Sequence, residues 1–201
     1  MSLLKKIIKF SFSLFAFLFL IYLLLPPPPE IPPLKDSLKS TEPGDTIQIP
    51  GISAYYTNLS RQEVLDFYQK NFSKSRFLGI SLPTYRLNHP PEYAKQVIRD
   101  TQQSSYLEEI VHPLRESLFV NGYEWENDPF VPPESRAQYK MVIDGKEFKC
   151  KVTIRPFYSN FFFRILIFIG IVIAFFFLKK EVEEIYETVS NNRQLQHKKA
   201  S

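Results

Sequence analysis

Ile7–Leu25, IIKFSFSLFAFLFLIYLLL, and Phe161–Leu178, FFFRILIFIGIVIAFFFL, decide how this chain is organised, because each is an apolar run carrying a single charge. At 1.5 Å rise per residue, helices of this length span roughly 28 Å, close to the hydrocarbon thickness of a bilayer. Backbone groups inside hydrocarbon must bond within their own segment, so both runs are expected to be transmembrane helices. Lys9 and Arg164 lie near the ends of the runs, where a long side chain carries its charge to the interface. A cleavable signal peptide is the rival for the first run, with Lys5 and Lys6 as its basic start. The run is long for that, and it passes straight into Pro26–Pro29 with no A-x-A-like site, so an uncleaved signal anchor is expected.

Lys5, Lys6 and Lys9 flank the start of the first run, and Lys179 and Lys180 follow the second. The positive-inside rule therefore places both termini in the cytoplasm and the intervening segment outside, with a bacterial cytoplasmic membrane as the expected location. The resulting plan is a cytoplasmic N-terminus at 1–6, a first membrane helix at 7–25 and a Pro-rich linker at 26–45. An extracytoplasmic domain follows at 46–156, then a second membrane helix at 157–178 and a cytoplasmic helical tail at 179–201.

The formal charge of +4 invites a nucleic-acid reading, but residues 26–160 hold 16 Lys/Arg against 17 Asp/Glu, net −1. The basic surplus belongs to the membrane segments and the termini, so no nucleic-acid partner is expected. One cysteine, Cys150, excludes an intramolecular disulfide framework. The outer domain must be held by its core, and about 120 residues suffice for that.

PPPPEIPP at 26–33 reads as a polyproline II spacer of roughly 25 Å, followed by the polar linker KDSLKSTEPGD. Thr46–Thr57 mixes β-branched and aromatic residues and breaks at Pro50-Gly51, which predicts two short strands or one bulged strand. Ser60 three residues before Glu63 forms a capping box, and Val64, Leu65, Phe67, Tyr68 and Phe72 continue at helical spacing. Residues 77–87 suggest an irregular strand pair around Pro83. A second helix is predicted from Pro91 to Gln103, with Tyr93, Ala94, Val97 and Ile98 inward. Tyr106–Val111 and Ser117–Trp125 read as strands, with a turn at Asn121-Gly122, and Asn127–Pro133 as loop. Asp144-Gly145 demands a two-residue hairpin pairing Ile143 with Lys146, Met141 with Phe148 and Tyr139 with Cys150. The last strand, from Val152 to Arg155, runs almost directly into the second apolar run, suggesting a sheet edge near the membrane. In the tail, Val182, Ile185, Tyr186 and Val189 form one stripe, and Asn191-Asn192 is the expected stop. The fold class is thus an α+β domain, two helices on a mainly antiparallel sheet, flanked by two transmembrane helices.

No catalytic, metal-binding or cofactor motif is present. Cys150 falls on the apolar hairpin face and reads as core. His89 and His112 each precede a proline and lack HxxxH, HExxH or CxxC spacing. Glu108, His112 and Arg115 form the densest titratable cluster, with Glu108 and Glu109 on opposite faces of one strand and Arg115 as the expected ion-pair partner. Asp100 is a weaker candidate, and His197 lies in the tail. Tyr123, Trp125 and Phe130 could present aromatics to a partner. Gly170-x-x-x-Ala174 permits close helix approach, to Ser13 and Ala16 or to a second copy. Asn58 and Asn71 match the glycosylation sequon. The functional expectation is a non-enzymatic structural or protein-interaction component of an envelope complex, with the lipid bilayer, protein partners or self-association as its contacts. The alternatives are a membrane-tethered enzyme built on Glu108, His112 and Arg115, and a ligand sensor coupled to the tail.

Overall fold

The computed structural model describes residues 3–46, 51–77, 79–99 and 103–200. In chain order the elements are α1 (Leu3–Leu24), β1 (Ser37–Lys39), the one-turn α2 (Pro43–Thr46), β2 (Ser53–Thr57) and α3 (Arg61–Phe72), followed by β3 (Tyr85–His89), β4 (Tyr106–Val111), β5 (Glu116–Glu124), β6 (Met141–Ile143), β7 (Lys146–Phe148), β8 (Cys150–Tyr158) and α4 (Phe161–Ala200). The chain divides into two compact units, Leu25–Ser159 on one hand and Met1–Leu24 with Asn160–Ser201 on the other.

The first unit is an α+β domain with a six-stranded sheet in the order β1-β2-β8-β5-β4-β3, every neighbouring pair antiparallel. One face packs on α3. Val64, Leu65, Tyr68 and Phe72 of that helix meet Tyr106, Ile110, Leu118, Val120, Val152 and Ile154 of the sheet in one core. Each large side chain removed from water this way contributes about 1.5–3 kcal/mol. The capping box forms as expected: Ser60 N–H donates to Glu63 Oε2 at 2.8 Å, and Glu63 N–H reaches Ser60 Oγ at 3.4 Å. The Ser60 hydroxyl, donating to Glu63 Oε2 at 2.7 Å, and then the Ser60 N–H hold the exposed Glu63 carboxyl below its usual value.

The hairpin at Asp144-Gly145 also forms, with both turn residues at positive φ (51° and 75°) and with the expected Ile143–Lys146 and Met141–Phe148 pairs. It does not extend to a Tyr139–Cys150 pair. Tyr139 ends a 3₁₀ segment, Pro133–Tyr139, and Cys150 instead pairs with Thr57 and Glu124 in the main sheet.

Four other expectations are corrected. The 26–45 segment is not a free spacer: Leu34 is buried in the main core, Ile31 packs against it, and Ser37–Lys39 is a sheet strand. The second helix is irregular, a 3₁₀ turn at Pro91–Tyr93 and a π turn at Lys95–Arg99. Ala94 and Ile98 are buried with Ile52 and Leu107 on the other sheet face, but Tyr93 is exposed. Asn121-Gly122 is no turn but the middle of β5, which spans Glu116–Glu124 without interruption. The last strand, β8, is no edge; it lies between β2 and β5. Pro156 is accommodated because it lies past the end of β2, where β8 has one neighbour. The predicted Pro50 break, the end of the second helix and Asp100 lie outside the described residues.

In the second unit, α1 and α4 contain stretches long and apolar enough to cross a membrane, Lys6–Leu24 (19 residues) and Phe161–Tyr186 (26 residues). The two helices pack through aromatic rings, Phe12 stacked on Phe175 at 3.8 Å and Phe19 against Phe168 at 6.2 Å between centroids. Arg164 is buried and donates from Nη1 to the Leu23 carbonyl at 3.4 Å, placing a cation at the C-terminus of α1 where the helix dipole favours it. The helix does not stop at Asn191-Asn192 but runs to Ala200, 40 residues or about 60 Å.

Candidate functional site

The β4–β5 connection, His112–Arg115, is where the sequence analysis placed its titratable cluster. The turn is closed by His112 N–H to Glu116 O at 2.9 Å and Arg115 N–H to His112 O at 3.1 Å, with Leu114 in the left-handed region at φ 60°. His112 and Arg115 are both buried. Glu108, His112 and Arg115 each engage different partners.

Glu108, on the α3 side of β4, pairs with Arg61 of α3, not with Arg115. Arg61 also lies over the Tyr106 ring, 4.9 Å from its centroid. Glu109 faces the opposite way, as strand alternation requires, and meets His89 Nε2 at 2.9 Å. The His112 ring lies tilted against Phe72, with centroids 4.6 Å apart, and places Nε2 2.9 Å from the Phe72 carbonyl and Nδ1 3.2 Å from the Pro83 carbonyl. The imidazole thus lies between the two stems of the 73–82 segment, with one ring nitrogen beside each.

Arg115 performs a similar task for the domain's two ends. Its side chain is fully buried against Glu116, Nη2 to Oε1 at 2.7 Å. The same Nη2 donates to the carbonyls of Leu25 (3.2 Å) and Pro26 (3.0 Å), and the Arg115 carbonyl accepts from Ser159 N–H at 3.2 Å. Leu25 and Ser159 are the first and last residues of the unit. Arginine suits this position because its planar fork serves several acceptors while keeping its charge.

A second charged group ties β1–α2 to the sheet. Lys151 on β8 meets Asp45 at 2.8 Å and Glu42 at 3.7 Å, and Ser40 donates to the same Asp45 carboxylate. Burial works against the ammonium, but the Asp45 hydrogen bond and the surrounding negative groups outweigh it and raise its pKa. Tyr56 donates to Glu42 at 3.2 Å, and burial raises its hydroxyl pKa.

The remaining candidates separate. Cys150 is buried, its thiol pushed up to about 12, first by burial and then by Glu124. Tyr123 is buried, not displayed; burial and the nearby Asp128 carboxylate push its hydroxyl up to about 12. Trp125 is half-buried with Lys140 Nζ 5.4 Å from its ring centroid, and Phe130 is exposed, so the three aromatics make no common surface. Gly170 and Ala174 are exposed on α4, and a Cβ at Gly170 would meet nothing within 4 Å, so this pair is not the contact with α1. Asn58 is engaged with the β7–β8 junction, accepting from Lys149 N–H at 2.9 Å and donating to the Glu147 carbonyl at 3.3 Å. His197 has its side chain outside the described residues.

Two shallow clefts, about 160 and 200 Å³, open beside Ser40–Glu42 and beside Ser60, Glu124 and Lys149; neither contains Glu108, His112 or Arg115. Among the described residues no group of three or more His, Cys, Asp or Glu could hold a metal ion. Sequence reasoning singled out His112 and Arg115 but missed what they hold, since their acceptors are backbone carbonyls distant in sequence. It passed over Lys151, which only the pairing of β2 with β8 brings beside Tyr56. The chain matches no family model, no curated protein and no solved structure.

Proposed function

We propose that this chain is a two-pass integral membrane protein, with both termini cytoplasmic, that presents its α+β domain outside as a structural or protein-interaction component of an envelope complex. One observation carries the reading: the domain's first and last residues are both hydrogen-bonded to Arg115. Both chain connections leave the domain at one residue, as a domain inserted between two helices of one membrane requires. The lysines at the start of α1 and at 179–180 support a common cytoplasmic side. The test is a pair of topology reporters, one after the last residue and one inside the exposed Asp144-Gly145 turn. The first should report the cytoplasm and the second the outside; reporters on the same side would sink the model. Crosslinking in native membranes should then yield a discrete larger species containing the chain, and a chain that remains uncrosslinked would count against the complex.

Sensing is a second reading, favoured by the continuity of α4. The helix begins at Phe161, shortly after β8 ends at Tyr158, and runs unbroken from the Phe161–Leu178 run through Val182, Ile185, Tyr186 and Val189, which are exposed. Polar replacement of Val182, Ile185 and Val189 would abolish signalling output while leaving the domain folded.

A further inference from the structure

Residues 73–77 and 79–82 form a hydrogen-bonded turn with exposed apolar side chains. Lys74 and Ser81 form an antiparallel bridge, Ser75 N–H bonds to Ile80 O at 2.8 Å, and Leu82 N–H bonds to Ser73 O at 2.8 Å. Ser75 Oγ accepts from Phe77 N–H at 3.1 Å, and Gly79 takes φ 63° so that the tip can reverse. This well-bonded turn leaves Phe77 60 % and Ile80 56 % exposed. From Ser73 to Arg86 the sequence holds Lys74, Arg76 and Arg86 and no acidic residue, in a domain that is otherwise net negative.

Within the domain the turn is close to both chain connections. Both stems lie against His112, and His112 lies three positions before Arg115, a span of at most about 10 Å. Arg115 is where Leu25 and Ser159 meet, one residue from the end of α1 and two from the start of α4. Leu114, between them, is 48 % exposed at the crest of its turn.

We propose that the 73–82 turn is a lipid-contacting finger. Phe77 and Ile80 enter the headgroup–acyl boundary of the bilayer that α1 and α4 cross, and Lys74 and Arg76 engage anionic lipid phosphates. The inference rests on the two-pass reading above. An aromatic and a branched aliphatic side chain beside two cations match the interfacial zone, where apolar burial and attraction to anionic lipids act together. The finger would set the tilt of the domain on the membrane and hence which surface meets a partner.

The test uses the full chain in vesicles of three parts phosphatidylcholine to one part phosphatidylglycerol, with Trp125→Phe removing the native indole. One reporter chain carries Phe77→Trp, a second Ile80→Trp, and a third Phe161→Trp in α4. Brominating the phosphatidylcholine acyl chains should quench all three. Lys74→Glu with Arg76→Glu, or omission of phosphatidylglycerol, should weaken quenching of the two finger reporters and leave the α4 reporter unchanged. Quenching at Phe161→Trp without quenching at Phe77→Trp or Ile80→Trp would overturn the finger, assigning its tip to water or a protein partner, while the two-pass reading stands. Quenching at none of the three would overturn both. Finger quenching indifferent to the charge reversal and to phosphatidylglycerol would overturn the anionic-lipid contact.

Discussion

Tyr106 lies across Gly122, its cross-strand partner between β4 and β5, so that its ring occupies the place a Cβ at position 122 would take. The buried hydroxyl of Tyr106 comes within 4.0 Å of Cys150 Sγ, and burial, followed by the charge of Cys150, drives the phenol's pKa well upward. Gly122→Ala should therefore destabilise the domain by about 1–3 kcal/mol through overpacking. Tyr106→Leu should recover part of that loss in the double variant. Denaturant unfolding of the four chains in detergent measures the coupling, and strict additivity would show that the ring and the glycine do not depend on each other.

Arg115 and Glu116 are a buried ion pair, and removing one partner leaves the other charge buried. Arg115→Ala should cost about 3–5 kcal/mol, and replacing both residues with apolar side chains should cost less than the single change. Arg115→Lys should not rescue, because an ammonium cannot reproduce the planar approach of Nε and Nη2 to the two Glu116 carboxylate oxygens. Thermal unfolding followed by far-UV circular dichroism would rank the variants, and equal stability of Arg115→Lys and the parent would refute the fork argument.

Cys150 should be inert to a thiol-specific disulfide reagent at pH 8 in the folded protein and reactive once the domain opens. Its folded pKa of about 12 lies above the ordinary 9.0, so the folded state disfavours the thiolate. Stability from this group is full below the ordinary value and declines as pH rises above it, since the unfolded thiol ionises first. The modification rate should track the opening equilibrium across a denaturant series. Fast labelling without denaturant would contradict the burial of this thiol.

Lys151 supplies a test of opposite chemical type with the same sign. Its pKa is raised from 10.5, so its ion pairs contribute fully at neutral pH and are lost as pH climbs through the folded value. The stability difference between the parent and Lys151→Met should be constant from neutral pH to about pH 9 and shrink at higher pH. A difference independent of pH up to strongly alkaline conditions would show that Lys151 acts through packing alone.

Local physics made part of this molecule legible in advance. The capping box at Ser60–Glu63 and the Asp144-Gly145 turn involve neighbours a few residues apart, whose geometry their own chemistry dictates. The same reasoning failed at Asn121-Gly122. There the glycine serves a ring sixteen residues away, not a turn, and nothing in the dipeptide announces Tyr106. It failed again at Pro26–Pro33, where proline-rich composition signals a stiff spacer but Ile31 and Leu34 find a core to enter.

By itself the sequence determined that two helices are apolar enough to cross a membrane and that the domain between them is an antiparallel α+β unit. Hydropathy over a helix length and alternation along a strand need no knowledge of the rest of the chain. Only the tertiary structure decided the work of the β4–β5 turn. His112 joins carbonyls at positions 72 and 83, and Arg115 joins positions 25, 26 and 159. A buried cation or imidazole must find acceptors, and backbone carbonyls carry no residue identity, so such contacts are fixed by topology and leave no mark in the sequence.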